Sequence, residues 1–178
     1  MTATTLVSLD DFVARHRGLP AGTFFDEVVD PYLLTADTAT TVDDDASSAG
    51  ITACIPRFAP GPRAPATLML PVRNRPGADP MPGMITLGRA PTCDLVLPHP
   101  RLSRFQAFFR RLHGRWHVDD ACSTNGTSVD GRPVVHGRSA PLAAGARLVF
   151  AAAVEVVFLD PPALRELVLE LGRRQDTA

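Results

Sequence analysis

From Thr67 to Asp160 the apolar residues come in short runs, and Gly, Pro, Asn and Asp interrupt them at close intervals. The runs read TLMLPV, MITLGR, CDLVLP, FQAFFRRL, RWHVDD, TSV, RLVF and VEVVFL. Few of them could support more than two helical turns, whereas a strand needs only four to eight residues. Strands this short with regular turn chemistry predict an all-β fold, a two-sheet antiparallel sandwich. His113-Gly114, between FFRRL and RWHV, predicts a tight hairpin.

The flanking segments have other characters. Residues 1–34 predict a small helical extension. Its first helix spans 8–17, with Ser8 as N-cap, Leu9, Phe12 and Val13 on one face and Gly18 as the stop. GTFFDEVVDPYLL, Gly22 to Leu34, carries apolar mass whose helix or strand identity the pattern leaves open, with Pro31 as its end. Residues 35–66 begin acidic and rich in Thr and Ser and then turn Pro-rich. Little there could offset the cost of ordering, which predicts a linker. Residues 67–160 form the β domain. Residues 161–178 predict a C-terminal helix and tail, with Asp160 as cap, Pro162 in the first turn and a stripe of Leu164, Leu167, Val168 and Leu171.

Composition excludes several classes of function. All 18 basic residues are arginine, alongside abundant Ala and Pro. Codon bias explains that enrichment, so only the placement of particular arginines carries weight. Residues 1–60 hold three arginines and nine acids, and residues 61–178 hold 15 arginines and ten acids. This mild imbalance does not resemble the basic face of a nucleic-acid binder. No apolar run is long enough for a membrane span, and MTATTLVSLDD lacks the form of a secretory signal. Cys54, Cys93 and Cys122 are odd in number and widely spaced, as suits a reducing compartment, and the expected location is cytoplasmic. His99, His113, His117 and His136 with these cysteines match no zinc spacing, so no metal is expected. Trp116, Phe105, Phe108 and Phe109 suit a core or sheet face better than a base-stacking platform. No nucleophile-base set or phosphate loop marks an enzyme, and no cofactor is implied.

Three polar loops interrupt the strands: Gly88-Arg89, Ser103-Arg104, and Ser123-Thr124-Asn125-Gly126-Thr127. In a sandwich, loops of alternate hairpins emerge at one end, where separate clusters converge. The ordered set LGR, CDLVLP, LSR, WHVDD, STNGT, VDGRPV and LAAGARLVF resembles the forkhead-associated (FHA) domain, bacterial type, over roughly Thr67 to Asp160. The resemblance implies a β sandwich that binds phosphothreonine in an extended peptide, without catalysis. It implies that Arg89 holds the phosphate, Ser103 donates its hydroxyl to it and Asn125 grips the peptide backbone. Arg104 and Thr124 lie beside them, where family members add phosphate contacts or sense the following residues. A guanidinium and a hydroxyl suit a dianionic phosphate. Gly88 and Gly126 are expected to allow the turns that aim these side chains.

The sequence departs from the family at Gln106, where a scaffolding histidine is usual. A glutamine amide both donates and accepts, so it can reproduce part of that role, and restoring histidine is expected to tighten binding. Gly145-Ala146 replaces Gly-Asp, and Ala151 stands where glycine is common. The expected function is a phosphothreonine-peptide adaptor downstream of a Ser/Thr kinase. The alternative is a phosphate-independent scaffold that docks through the N-terminal helix or the terminal stripe. Thr40 and Thr41, each followed three residues later by Asp, are candidate phosphosites that would place the chain's own linker among the partners.

Overall fold

The computed structural model describes residues 7–35, 67–76, 81 and 83–176. Seven strands make the first sheet. These are β1 (Val7–Ser8), β2 (Tyr32–Thr35), β3 (Leu68–Pro71), β8 (Thr127–Val129), β9 (Arg132–Pro133), β11 (Arg147–Phe150) and β12 (Val154–Leu159), in the order β1-β3-β2-β12-β11-β8-β9. The second sheet contains β4 (Ile85–Gly88), β5 (Leu95–Val96), β6 (Ala107–Leu112), β7 (Arg115–Asp120) and β10 (Ala140–Pro141), in the order β10-β7-β6-β4-β5. Pro133 and Pro141 lie in β9 and β10, both at sheet edges, where a missing N–H interrupts no ladder. The expected sandwich is all antiparallel except that β4 and β5 pair in parallel, Leu87 against Leu95. The β6–β7 turn is a tight hairpin, with His113 at φ 50° and Gly114 at φ 78°.

Side-chain alternation builds two cores. Leu33, Leu70, Val156 and Phe158 face the second sheet, where they meet Leu87, Phe109 and Val118. Their neighbours Leu34, Met69, Val157 and Leu159 face the other way. That outer face is covered by α1 (Leu9–His16), α2 (Ala21–Glu27) and α3 (Pro161–Gln175), through Phe12, Val13, Phe24, Leu164, Leu167 and Val168. The part of the first sheet made by β3, β2 and β12 is therefore buried on both sides, which is why VEVVFL and LMLP read as almost unbroken apolar runs.

The N-terminal segment differs from the expected extension. GTFFDEVVDPYLL divides at Pro31 into helix α2 and strand β2, and β2 lies inside the sheet between β12 and β3. The expected boundary after residue 34 falls within that strand, which ends at Thr35. Ser8 occupies the N-cap of α1, but its side chain makes no capping bond, and its backbone pairs with Leu68 instead. Asp160 does cap α3, accepting from the Ala163 N–H at 3.0 Å. The expected linker from residue 36 to residue 66 lies outside the described residues, as do Thr40 and Thr41. Among the described residues no helix is long and apolar enough to cross a membrane.

Candidate functional site

The end of β4 and the segment before β6 come together first. The Arg89 N–H donates to the Ser103 carbonyl and the Ala90 N–H to the Arg104 carbonyl, both at 3.1 Å. Gly88 makes that approach possible, because a Cβ there would lie 2.1 Å from the Arg104 carbonyl oxygen. Its role is thus to leave space, not to supply the unusual backbone turn expected of it. Cys93 supports the same segment from beneath, donating its thiol to the Arg104 carbonyl at 3.3 Å. Burial pushes that thiol's pKa up to about 11.

The loop after β7 joins them. The Thr124 N–H donates to Ser103 Oγ at 3.0 Å, and Ser103 Oγ lies 3.4 Å from Thr124 Oγ1. Asn125 Nδ2 donates to the Arg101 carbonyl at 2.9 Å, so the side chain expected to grip a peptide also fixes a neighbouring loop. Its Oδ1 accepts no hydrogen bond from a described residue. Gly126, at φ 77°, takes the left-handed turn that the resemblance led us to expect.

Gln106 lies at the centre and is fully buried. Its Oε1 accepts from the Ser103 N–H at 3.0 Å, while Nε2 donates to the Gly126 carbonyl at 2.9 Å and to Thr127 Oγ1 at 3.2 Å. Swapping the amide's oxygen and nitrogen would set donor against donor at Ser103, so the network itself assigns the orientation. One carboxamide thus ties the Ser103 loop to the Gly126 loop. Asp120, also buried, anchors the second loop. It accepts from the Ser123 N–H at 2.8 Å and from the Ser123 and Thr127 hydroxyls, each at 2.7 Å.

The charge balance follows. Asp120 spends its oxygens on internal donors. Arg89, Arg101 and Arg104 are exposed, and their guanidinium groups have no hydrogen bond or ion pair with any described residue. Elsewhere Arg110 is held by Asp119, and Arg147 by Glu155. Three cations without a partner among the described residues, on loops that meet at an oriented hydroxyl, have the chemistry that suits an anion. All eight residues of the expected phosphopeptide site and its scaffold, from Gly88 to Gly126, therefore gather at one end of the sandwich.

Three contributors escaped the sequence reading. Arg101 is visible there only as a cation two residues before Ser103, a spacing that in extended chain shares a face. Asp120 and Thr127 reveal their roles only through their hydrogen bonds, Asp120 to Ser123 and Thr127 and Thr127 also to Gln106.

Comparison with known proteins adds the family. No curated protein matches this chain. Among solved structures it is similar to the yeast Dun1 FHA domain in complex with a doubly phosphorylated peptide, at 20% identity and TM-score 0.46, covering 72% of each chain. It is similar to the Rv1747 FHA-1 domain of Mycobacterium tuberculosis at 17% identity and TM-score 0.41, covering 73% of this chain and 96% of that one. The FHA domain of CT664 from Chlamydia trachomatis is similar at 17% identity and TM-score 0.44, with coverage of 73% and 97%. The family model for the FHA domain matches residues 85–151, the stretch that holds β4 to β11 and every loop residue gathered at this end of the sandwich.

Proposed function

We propose that the chain is a phosphothreonine-peptide-binding adaptor that recognises partners phosphorylated by a Ser/Thr kinase, within the cytoplasm and without catalysis. The observation that carries this reading is the pairing of Arg89 with Ser103: their segments are hydrogen-bonded, the guanidinium is unpaired among the described residues and the hydroxyl is already oriented. Arg89 and Ser103 hold the phosphate, and Asn125 Oδ1 meets a peptide N–H. Arg104 and Arg101 exceed what one phosphate needs, which favours a peptide carrying further negative charge. Hydrogen bonds to a charged group contribute about 1.5–3 kcal/mol each, enough for roughly micromolar affinity after association entropy is subtracted.

The alternative, a phosphate-independent scaffold, loses support from its own surfaces. Leu9, Phe12 and Val13 of α1 and Leu164, Leu167 and Val168 of α3 are buried against the first sheet. The working unit in our reading is residues 7–35 together with 67–176, the intervening stretch being a connector. Thr35 and Leu68 are bonded to each other and lie at the end of the first sheet where β11 turns into β12, which is the end that carries the anion site. Thr40 and Thr41 follow Thr35 by five and six residues. A phosphorylated Thr40 or Thr41 would then compete for the same site.

Titrating the full chain with a degenerate phosphothreonine library, its dephosphorylated counterpart and a phospho-Thr41 peptide tests these points. Binding is expected only to phosphorylated peptides and is lost in Arg89→Ala. If wild type and Arg89→Ala behave alike, the adaptor reading fails. No binding of the phospho-Thr41 peptide at high micromolar concentration retires the linker as a partner.

A further inference from the structure

Cys122 presents a nucleophile outside the anion site. It is exposed, sits at φ 56°, and leads directly into Ser123, Thr124 and Asn125. Its Sγ lies 3.3 Å from Nδ1 and 3.6 Å from Nε2 of His136, so the sulfur rests against the imidazole. Both residues open on a cavity of about 460 Å³ that Met81, Phe105 and Phe108 also line. Cys93 offers the contrast: it is fully buried, its thiol is hydrogen-bonded and its pKa is pushed up to about 11.

We propose that Cys122 is a modification site that forms a mixed disulfide with a low-molecular-weight thiol, the cavity holding the attached group. The thiol proton passes to His136, and the resulting thiolate attacks one sulfur of a low-molecular-weight disulfide. The new S–S bond forms as the old one breaks. The departing half leaves as a thiolate and takes up the proton from the imidazolium. Cys122 is oxidised and the departing thiol reduced, so the exchange needs no other oxidant. The apolar side chains of Phe105, Phe108 and Met81 give the attached group a partly exposed surface to lie against. The adduct lies next to the loop that holds the Thr124 N–H on Ser103 Oγ, so modification displaces that loop and weakens phosphopeptide binding. This last consequence rests on the adaptor reading above.

The test uses the full chain carrying Cys54→Ser, so that Cys93 and Cys122 are the thiols present, treated with oxidised glutathione. One glutathione per chain is expected, mapped to Cys122, at a second-order rate that falls roughly tenfold in His136→Gln. Backbone amide resonances of residues 123–126 are expected to move in the adduct and return on reduction with dithiothreitol. The phosphopeptide Kd is expected to rise about fivefold in the adduct, mostly through faster dissociation. Glutathione on Cys93, or a rate unchanged by His136→Gln, overturns the assignment. Unmoved amides or an unchanged Kd overturn the coupling. If the unmodified chain binds no phosphopeptide, the adaptor reading fails separately, and the mapping, rate and amide measurements still decide the role of Cys122.

Discussion

Gln106 shows what one side chain must do to hold a loop-built site. Its carboxamide satisfies the Ser103 N–H, the Gly126 carbonyl and Thr127 Oγ1 while fully buried. Gln106→Ala leaves the Ser103 N–H without its acceptor, while the Gly126 carbonyl keeps the Ala151 N–H and Thr127 Oγ1 keeps Asp120, and an unsatisfied buried polar group costs about 1–3 kcal/mol. The variant is expected to lose about 1–3 kcal/mol of stability, read by urea unfolding, and to weaken phosphopeptide binding. An imidazole offers one donor and one acceptor where the amide offers two donors and an acceptor. Gln106→His is therefore expected to bring no gain in affinity, in place of the tightening that the sequence alone suggested, and a peptide titration checks this. Cys93 supplies a pH dependence. Burial holds its folded pKa at about 11 against an ordinary 9.0. Below pH 9 both folded and unfolded states keep the proton and the stability is complete. Between about pH 9 and 11 the unfolded state releases the proton first, so stability falls as pH rises. Denaturation midpoints across that range are expected to fall less steeply in Cys93→Ala. The slope that remains includes Tyr32, whose phenol burial also holds above its usual value.

At the scale of elements, the strands are conventional and the turns between them decide the site. Ala151 and Ala152, between β11 and β12, take φ 55° and 46°. Ala151 also donates its N–H to the Gly126 carbonyl at 2.9 Å, linking this turn to the anion-site loop. An alanine in the left-handed region costs about 1–2 kcal/mol. Ala151→Gly relieves that strain at a buried position where the lost methyl contact and added backbone freedom offset part of the gain. A net stabilisation of roughly 0.5–1 kcal/mol is expected, measured as a raised midpoint in thermal or urea unfolding. Helix α3 follows its sequence signals closely: the Asp160 cap, the prolines at the start and the stripe of Leu164, Leu167 and Val168 all stand as the periodicity implied. The difference is physical. A helix cap and stripe are set by residues three and four apart, whereas turn strain depends on what two distant strands require.

For the whole molecule, the first sheet is assembled from both sides of the undescribed segment. β2 is flanked by β12 and β3, and Leu33 enters the main core while Leu34 enters the second. A chain cut to residues 67–178 would lose this central strand and expose the apolar face under α1 and α2. It is expected to be insoluble or unfolded by circular dichroism, although it contains every residue of the anion site. The proposed phosphopeptide site therefore depends on a segment that supplies none of its residues. Charge is also arranged globally: the binding we propose relies on Arg89, Arg101 and Arg104, all exposed, so affinity is expected to fall with added salt.

By itself the sequence determined the strand-and-turn alternation and the C-terminal helix, and it singled out the loop residues that the fold brings together. These are written in short-range patterns: period two, period three to four, and an ordered set of loop motifs. It did not reveal that residues 32–35 complete a sheet, because a strand buried on both faces reads like any apolar run. Nor did it reveal that Gly88 serves by its missing Cβ, that Asn125 also fixes Arg101, or that Gln106 bridges two loops. Those roles exist only once segments from β4, β6 and β7 meet, since hydrogen-bond complementarity is a property of the pair and not of either residue.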